Sequence, residues 1–585
     1  MKRSVLEELT RAVLESGSAR INRGEIPATL HDSLMARLDR LGPAKQVIQI
    51  GAVIGSEFSY DLIQAVHPIP DRDLQAAIRR ATDAELIYVR GIPPDASCRF
   101  KHALIQDAAY GALLRSRRKE LHSRIAGVLM RKFQDKVTLA PELLAHHCTE
   151  ADLIEQAIPY WQQAGQRAAQ RSANVEAISH LKKGLSLLNT LPATPERTQQ
   201  ELTMQITLGA SLSATRGWAA AEVELVYARA RELCRQIENT LQMFPALFGL
   251  WGFYDVRANL EAALELGEQL LAAAQQEQDP ALLVLGYRAL GETCFWLGDL
   301  VQARIHLERL SALYDPERHR SLAFLYGSDP GSGGLGFLAG TLWMLGYPDQ
   351  AVQRSQEALA LAQQLSHPFT LAFALMTMTY LYHFRRDEQE VLACTEKLLA
   401  LATKHGFAQS WATATRYRGW ALNVQGQIEE GMNLIDQGSK AYLATGAGIS
   451  RPYVLALLAE ALGKIGRVKE GLLVFPEALG LIEKNKDRLY EAELYRIKGE
   501  LVLQSQGHNM LEAEGCFQQA IDVARQQSAK SWELRASTSL ARLWQQQGKC
   551  NEAREMLASI YNWFTEGFDT KDLRQAKALL DELSA

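Results

Sequence analysis

Apolar and polar positions along this chain follow a pattern that repeats about every 40 residues. Between Leu290 and Asp315, apolar residues recur at the helical period of about 3.6 on both sides of Gly298, which is typical of two helices joined by a tight turn. Ala303 is the small residue that follows this turn. Nearly equivalent small or aliphatic residues are Ala177, Ala221, Ala263, Ala351, Val391, Gly431, Gly471, Ala513 and Ala553. Most of them follow a turn residue, as at Gly346, Gly426, Gly466 and Gly548.

This pattern resembles the tetratricopeptide repeat, in which antiparallel helix pairs stack into a superhelix. The unit here is longer than the roughly 34 residues of that repeat, so we expect longer helices. The predicted fold is all-α, an α-solenoid of about ten helix pairs over residues 136–568. Residues 569–585 predict a terminal capping helix with Asp569 or Thr570 as its N-cap. Its apolar face holds Leu573, Ala576, Leu579, Leu580 and Leu583.

The stretch GSGGLG at residues 331–336 has the spacing of a dinucleotide-binding loop, with Gly331, Gly333 and Gly336 in the pattern GxGxxG. It lies in the longest interval between two repeats, so we expect an inter-repeat loop. Residues 337–365 are predicted to be a helix, a turn and a helix, whereas a dinucleotide fold needs a second strand that ends in an acidic residue. The chain also contains no GxxxxGK[ST] sequence. We therefore predict no bound cofactor.

Residues 26–135 have a different pattern, which predicts several helices and one hairpin. The first helix begins near Ile26, and its apolar face holds Leu30, Leu34, Leu38 and Leu41. Further helices are predicted at Ala44–Ile54, Tyr60–Val66 and Arg72–Ala84, and from His102 and Ser116. Strands near Leu86–Arg90 and Cys98–Phe100 flank a turn rich in Gly, Pro and Asp. Helices with one small hairpin indicate a winged-helix-like domain.

Five phrases of the sequence together resemble one class of bacterial protein. They are IPATLHDSLMARLDRL, GAVIGSEF, FKHALIQDAAY, LLAHHCTEA and WFTEGFDTKDL. The resemblance is to the C-terminal portion of signal-transduction ATPases with numerous domains, the STAND class. Those proteins place a P-loop ATPase ahead of a winged helix and a tetratricopeptide array. Some also carry a class III adenylate or guanylate cyclase domain before the ATPase. The likeness covers essentially all 585 residues.

The same resemblance implies that the ATPase core is missing. The segment LEELTRAVLESG, from Leu6, looks like the last helix of the ATPase lid, so we expect residues 1–25 to be a remnant of that lid. Neither Walker motif and no set of cyclase metal ligands occurs in the sequence. The resemblance thus implies a regulatory and sensor arm without its ATPase.

His102 is the one candidate cofactor-binding residue. FKHALIQDAAY is similar to the winged-helix motif whose histidine senses nucleotide phosphates in related ATPases. By that resemblance His102 would be the nucleotide sensor if an ATPase core were present, since a histidine can donate to a phosphate oxygen near neutral pH. The alternative is that His102 begins a helix and packs locally. We favour the alternative, because no P-loop occurs in this chain.

The densest basic run follows this motif. It contains Arg115, Arg117, Arg118, Lys119, His122 and Arg124. Such a run could contact DNA phosphates. The same region has an apolar stripe of Leu113, Leu114, Leu121, Ile125 and Leu129. We therefore expect the basic residues to lie on the solvent side, as a solvated face or a domain contact, and nucleic acid is not an expected partner.

Other candidate chemistry is weak. His146, His147 and Cys148 are adjacent on a predicted helix and so point in different directions, which favours a structural role over a metal site. No nucleophile elbow of the form GxSxG occurs. Tryptophans of the first helices are explained by helix packing; they are Trp251, Trp296, Trp343, Trp420 and Trp544. We therefore predict no catalytic residue and no metal.

Composition indicates a cytoplasmic protein. The net charge of −4 provides no basic field for nucleic acid or an anionic membrane. The seven cysteines are widely spaced, as in a reducing cytosol. Glu7, Glu8 and Arg11 interrupt the apolar stretch that a signal peptide requires. FTLAFALMTMTYLYHF, residues 369–384, is shorter than the roughly 18 residues of a membrane span, so we predict a buried helix.

Three hypotheses on function follow. The first is a non-enzymatic arm whose superhelix exposes a concave surface for a peptide or protein partner and is coupled through the winged helix to an ATPase or cyclase module. The second is that the chain belongs to an active NTPase or cyclase whose catalytic half lies elsewhere. The third is a winged-helix transcription regulator, whose DNA binding would depend on Arg117 and Arg118. We favour the first.

Overall fold

The structure is a computed structural model that describes residues 34–237, 240–505 and 509–584. The chain forms two compact units. The first contains residues up to Ala164 together with Lys182–Leu191, and the second contains Gly165–Leu181 with Pro192–Ala585. The lid remnant predicted at 1–25 and the start of the helix predicted from Ile26 lie outside the described residues.

The first unit is built of helices and a small sheet. Residues 34–39 are helical, and Leu34, Leu38 and Leu41 are buried, as the predicted apolar face requires. The elements that follow are α1 (Ala44–Ile54), β1 (Glu57–Ser59), α2 (Tyr60–Val66), α3 (Asp71–Asp83), β2 (Ile87–Arg90), β3 (Ser97–Phe100), α4 (Ala103–Gly111), α5 (Arg115–Lys132), α6 (Gln134–Leu139) and α7 (Pro141–Glu150). Two further helices contribute residues to both units; they are α8 (Ile154–Gln170) and α9 (Asn174–Leu188).

The three strands form an antiparallel sheet in the order β1-β3-β2. The predicted hairpin is confirmed by β2 and β3, in which Ile87 pairs with Phe100. The sequence does not predict β1, because three residues are too few to show an alternating pattern. Phe58 of β1 is buried and packs on Phe100, with ring centroids 5.7 Å apart. Burial of this one aromatic ring fixes the short strand to the sheet.

Helices α5 and α7 pack together across the domain boundary that the sequence predicts at residue 135. His122 of α5 and His147 of α7 are both buried, and their Nδ1 atoms are 2.8 Å apart. At the surface, Lys119 pairs with Asp152 at 2.7 Å. The first compact unit therefore extends past residue 135, because α7 completes the core beside α5.

The second unit contains the repeated helix pairs. The earlier helices are α10 (Pro195–Arg216), α11 (Ala221–Gln236), α12 (Thr240–Val256), α13 (Leu260–Glu277), α14 (Pro280–Leu297), α15 (Leu300–Leu313), α16 (Pro316–His319), α17 (Leu322–Tyr326), α18 (Pro330–Met344), α19 (Pro348–Leu365) and α20 (Pro368–Phe384). The later helices are α21 (Glu388–His405), α22 (Ala408–Val424), α23 (Ile428–Ala444), α24 (Arg451–Lys464), α25 (Val468–Leu472), α26 (Phe475–Asn485), α27 (Glu491–Gln504), α28 (Met510–Gln526), α29 (Lys530–Gln546), α30 (Cys550–Tyr561) and α31 (Lys571–Glu582). Several have 18 residues, among them α13, α14, α19 and α21, which confirms that longer helices account for the long unit.

The small residue that marks each repeat lies in the first turn of the second helix of a pair. Ala263, Ala303 and Ala351 hold this position and are fully buried. The position is crowded because the preceding helix passes close by. Ala221 is an exception: it is exposed at the first residue of α11, where Val223 is buried instead. The prediction for Ala221 is wrong because α11 begins there.

The turns that precede these markers adopt left-handed backbone conformations. Glycine fills most of them, with φ from 77° to 93°, at Gly298, Gly346, Gly426, Gly466 and Gly548. Glycine carries no steric penalty in this region of φ. Three larger residues occupy the same position elsewhere, namely Ser172 with φ of 57°, Ala258 with φ of 65° and Arg386 with φ of 60°. The side chain of Arg386 lines a cavity within the second unit.

The first helices of the central pairs are buried on almost all sides. Helix α18 is apolar over nearly its whole length and nearly every residue is buried, as expected of a helix inside a protein. By contrast α19, α21 and α23 are buried along one face only. The first helices therefore form the inner layer of the superhelix and the second helices form its outer layer.

Successive turns of the superhelix are joined by main-chain hydrogen bonds. The amides of Gly448 and Ile449 donate to the carbonyl oxygen of Val256, at 2.9 and 3.1 Å. A second contact of the same kind joins the amides of Arg488 and Leu489 to the carbonyl oxygen of Trp296, at 3.1 and 3.2 Å. We call these two contacts the seam. The concave surface that the repeat pattern predicts as exposed is instead enclosed by the chain's own turns, because repeats that are far apart in sequence meet there.

The glycine-rich motif forms the start of α18 and is not the loop that the sequence predicts. Asp329 is the N-cap, since its carboxylate accepts a hydrogen bond from the amide of Ser332 at 2.7 Å. The glycines are buried because neighbouring side chains lie where a Cβ atom would be, with Tyr314 at Gly331 and Leu310 at Gly334. The short helices α16 and α17 fill the surplus length before it. The motif therefore serves close helix packing.

The chain ends in the predicted capping helix. In α31, Leu573, Ala576 and Leu579 are buried against the last helix pair. Thr570 holds the N-cap position without a side-chain hydrogen bond to the helix. These apolar residues thus cover the hydrophobic core of the last helix pair, as their spacing predicts.

The apolar stretch at 369–384 is helix α20, whose residues are mostly buried among neighbouring helices. Within the described ranges, no helix has both the length and the apolar character needed to cross a bilayer. All seven cysteines are free thiols, and Cys550 is the exposed one.

Candidate functional site

The closed superhelix retains an interior cavity of about 310 Å³, which we call the arginine cavity. First helices of successive repeats supply its walls: α20, α22, α24, α27 and α29. One wall is aromatic and apolar, with His383, Trp420, Tyr453, Leu457, Ile497 and Leu501. The opposite wall carries charged groups, with Arg386, Glu493, Arg496 and Arg535. The cavity is therefore amphipathic, and its volume suits a small molecule or one large side chain of a partner.

Three arginines that line this cavity lie close to two carboxylates, the buried Glu493 and the mostly buried Asp572. Nε of Arg535 donates to Oδ2 of Asp572 at 2.8 Å, and its Nη2 donates to the carbonyl oxygen of Phe384. Arg496 donates to both carboxylate oxygens of Glu493, at 2.8 and 2.9 Å. Hydrogen bonds of this charged kind are the stronger ones in proteins. Arg496 and Arg535 are thus held in place.

The ionisation of this cluster follows from its contacts. Burial alone would raise the pKa of Glu493, but Arg496 and Arg535 outweigh it and hold the pKa below its ordinary value. Burial lowers the pKa of His383 well below its ordinary value, and the charge of Arg535 lowers it further. Glu493 is therefore ionised and His383 is neutral near pH 7.

Arg386 is the third arginine, and its guanidinium is only loosely paired. Its Nη1 lies 3.5 Å from Oδ1 of Asp572, and its Nη2 lies 4.0 Å from Oε1 of Glu493. Neither is a hydrogen bond, and the side chain is 27% exposed. Within the part of the chain that the structure describes, its guanidinium makes no hydrogen bond. The donors of Arg386 are consequently free to receive an anion.

The aromatic wall is rigid. Nε2 of His383 and the hydroxyl of Tyr453 are 2.7 Å apart, and the rings of His383 and Trp420 meet edge to face with centroids 4.2 Å apart. Tyr453 also stacks on Tyr490, with centroids 4.0 Å apart and an angle of 6° between the rings. These contacts fix the apolar side of the cavity before any ligand binds.

A second, smaller cavity of about 50 Å³ lies in the same unit, and both earlier and later repeats contribute to its lining. Trp218, Trp251 and Trp296 are among its lining residues. A buried ion pair borders it, in which Nε of Arg288 donates to Glu292 at 2.7 Å. This cavity has room for only a few water molecules, so it is the weaker candidate for a ligand.

The buried carboxyl of Asp255 also borders the smaller cavity. Its Oδ1 accepts a hydrogen bond from the hydroxyl of Thr293 at 3.0 Å, and Trp251 donates to the same hydroxyl at 2.9 Å. Burial raises the pKa of Asp255 well above its ordinary value, and the nearby charge of Glu292 adds to the rise. This chain of hydrogen bonds orders the wall.

His102 is the N-cap of α4. Its Nδ1 accepts a hydrogen bond from the amide of Leu104 at 3.1 Å. The residue thus begins a helix and packs locally, as the favoured interpretation of the sequence holds. A nucleotide-sensing role for His102 stays a prediction that depends on an ATPase core.

The basic run lies on α5, where internal contacts engage part of it. Arg117 pairs with Glu120 at 2.7 Å, and the guanidinium of Arg118 lies over the ring of Tyr110, 5.0 Å from its centroid. Two details of the prediction are wrong. His122 is fully buried and so does not belong to the solvent face, and Leu114 is exposed and so does not belong to the apolar stripe. Leu114 precedes α5 in extended backbone, which turns it outward.

Of the two adjacent histidines, His147 lies in the interior of the first unit, whereas His146 is exposed. His147 and His122 are paired through their Nδ1 atoms, and Nε2 of His122 is 3.1 Å from the hydroxyl of Tyr110. Burial lowers the pKa of His147 well below its ordinary value, so this pair is neutral near pH 7. Among the residues described, no group of three or more His, Cys, Asp or Glu side chains is placed to hold a metal ion.

The arginine cavity was not predictable from local patterns, because its residues come from different repeats. One signal was present in the sequence. At the turn position where most repeats have glycine, Arg386 is a large charged residue. The predicted packing role of the tryptophans is incomplete, because Trp420 also lines the arginine cavity and Trp251 and Trp296 line the smaller one.

Fold and site together define an α-solenoid with an enclosed, charged interior. The chain matches no protein-family model. It is 26% identical over 520 residues to an uncharacterised protein of Rhizobium meliloti (strain 1021), a match that covers 87% of this chain and 50% of that protein. The chain therefore spans about half the length of the curated relative it matches.

Several solved structures are similar at the level of helical architecture. One is a Rap protein complexed with Competence and Sporulation Factor (13% identity, 64% of this chain and 99% of that chain, TM-score 0.47). Another is a STAND protein with a tetratricopeptide repeat sensor from Pyrococcus horikoshii (14% identity, 84% and 69%, TM-score 0.40). A third is the APC/C hetero-tetramer Cut9-Hcn1 (12% identity, 90% and 96%, TM-score 0.46).

Proposed function

We propose that this chain is a non-catalytic sensing and interaction arm, in which the superhelix binds a protein or peptide partner. The observation that carries the proposal is the seam, where two short sets of main-chain hydrogen bonds enclose the inner surface. Stacked helical repeats bind partners on that concave surface. A partner that binds the open form better than the closed form shifts the population towards the open form. In this proposal, the form closed at the seam and an open form are the two states that sensing requires.

We further propose that the first unit is a winged-helix-like coupling domain for an ATPase or cyclase module, in the cytoplasm. Support comes from the resemblance of the sequence phrases to the STAND class and from the helices and antiparallel sheet of that unit. The Rhizobium relative, of which the chain spans 50%, is long enough to hold a further module. Differential affinity of a partner for two arrangements of the arm would supply the free energy of the coupling.

Capture of partners from the cells that make this protein tests the proposal. The tagged full chain would be cross-linked, purified and mapped by mass spectrometry. We expect one specific protein or peptide to cross-link to the first helices of the repeats, which are those of the inner layer between α14 and α29. Absence of any specific cross-link to those helices would contradict the proposal. Turnover of ATP or GTP by the purified chain would make it an enzyme and also contradict it.

Alanine substitutions at two glycines, one beside the seam and one away from it, test the role of the seam with a matched control. A Cβ atom at Gly446, where φ is 84°, would overlap the carbonyl oxygen of Ala219 in the adjacent turn. At Gly426, where φ is 89°, a Cβ atom meets nothing within 4 Å. G446A should therefore open the superhelix and capture more partner than the unmodified chain, whereas G426A should not. Equal capture by both variants would show that opening does not control binding.

A further inference from the structure

The arginine cavity has the composition of an anion site with an apolar extension. Three of its guanidiniums lie close to two carboxylates, the buried Glu493 and the mostly buried Asp572. Arg496 and Arg535 already donate to those carboxylates, so Arg386 is the arginine without a hydrogen-bonded partner there. A guanidinium presents donors in a fork that matches the two oxygens of a carboxylate or phosphate.

The backbone at Arg386 supports a role for this side chain. The residue has φ of 60° at a turn position that glycine fills in most other repeats. A residue with a Cβ atom is disfavoured in the left-handed region relative to glycine. Glycine fills most of the equivalent turns, and the small Ala258 and Ser172 fill two others, so the turn does not require an arginine. The long side chain at this position places a guanidinium in the cavity lining.

The rest of the cavity limits the ligand to a small, partly apolar one. Trp420, Tyr453 and Leu457 line the same cavity as Arg386, and all three are almost fully buried. The cavity volume of about 310 Å³ accommodates a fused aromatic ring system with a short anionic group. Lys464, Glu500 and Lys571 line the cavity and have side chains about 40% exposed, so the cavity reaches solvent on that side.

We propose that the arginine cavity binds a small organic anion, with its carboxylate or phosphate on Arg386 and its flat apolar body against Trp420 and Leu457. The anion would be the ligand that the proposed sensing arm detects, so this inference rests on the proposed function. Binding itself is a property of the isolated chain. Failure to bind anions would leave the capture of a protein partner untouched, and failure of that capture would leave anion binding untouched.

Titration calorimetry with three probes of one shape tests the proposal. The probes are 2-naphthoate, 2-naphthyl phosphate and the neutral 2-naphthamide, added to the purified full chain. We expect at least one anion to bind with an affinity roughly tenfold or more above that of the amide, because a charged hydrogen bond contributes about 1.5–3 kcal/mol. The ratio of carboxylate to phosphate affinity identifies the anionic group. Equal binding of amide and anions, or no binding of either anion at millimolar concentration, would overturn the proposal.

Two substitutions to glycine distinguish the effect of the Arg386 guanidinium from the effect of the turn conformation. R386G removes the guanidinium and leaves a residue that the turn geometry accepts. S172G makes the same kind of change at Ser172, which has φ of 57° at the equivalent turn position of an earlier repeat. We expect R386G to lose roughly ten- to a hundredfold in anion affinity and S172G to lose none. Both variants should keep a thermal midpoint close to that of the unmodified chain. Unchanged anion affinity in a folded R386G chain would overturn the proposal.

Discussion

Single buried charges set the pH response of the superhelix, and Asp487 is the clearest case. It lies in the loop between α26 and α27, beside the seam residue Arg488. Its Oδ2 accepts a hydrogen bond from the amide of Ser450 at 2.7 Å, and its Oδ1 has no partner within the described ranges. Burial raises its pKa to about 7, although the bond from Ser450 acts in the opposite direction. The other titratable groups that feel its charge are Asp255, Tyr442 and Tyr490.

The sign of the pH effect follows from that pKa. The folded chain holds the proton of Asp487 more tightly than the unfolded chain, so this residue makes stability fall as pH rises from about 4 to about 7. D487N keeps an oxygen acceptor and cannot ionise. By scanning calorimetry we expect D487N to raise the thermal midpoint at about pH 8 and to change it little at about pH 4.5. The exposed Asp522 provides the control D522N, which should change neither value. An equal shift of D487N at both pH values would contradict this account.

Residue roles were predictable where they depend on local geometry. The sequence predicts a helix that begins at His102, and the structure has His102 as the N-cap of α4. The burial of His122 was not predictable, because its partners Tyr110 and His147 belong to other helices. Likewise Arg386 stands out in the turn pattern, yet its neighbours Glu493 and Asp572 come from distant helices. Local periodicity carries no information on such contacts.

At the scale of elements, the seam makes a specific prediction about stability. Alanine at Gly426 should lower the free energy of unfolding by about 1 kcal/mol, because its only effect is to place a Cβ atom in left-handed backbone. Alanine at Gly446 has the same backbone effect and also overlaps the adjacent turn at Ala219, so we expect it to lower the free energy of unfolding by roughly 2 kcal/mol or more. Denaturant titration of both variants measures the difference in the free energy of unfolding. Equal costs would show that the two turns are not in contact in solution.

Elements were predictable to the extent that their pattern is long and periodic. The repeat markers and turn glycines identify most helix pairs, because the same packing contact recurs in each. The glycine motif at 331–336 misleads, since glycine has low helix propensity and the close contacts with Tyr314 and Leu310 are not visible in sequence. The Asp329-Pro330 pair before it is a helix-start signal that outweighs the glycines.

At the scale of the whole second unit, closure follows from small rotations that add up over successive repeats. The sequence predicts the repeats but not the rotation between them, so it does not predict that Val256 meets Gly448 or that Trp296 meets Arg488. Closure also explains why the first helices are buried all round. The enclosed inner surface and the arginine cavity are therefore properties of the assembled array and of no single repeat.

Hydrogen exchange at the seam tests the closed superhelix most directly. The amides of Gly448, Ile449, Arg488 and Leu489 would be followed by mass spectrometry in the purified full chain and in G446A. A closed superhelix predicts slow exchange at these amides in the unmodified chain and clearly faster exchange in the variant. Fast exchange at all four amides in the unmodified chain would contradict the account, because it would show that the inner surface is open in solution.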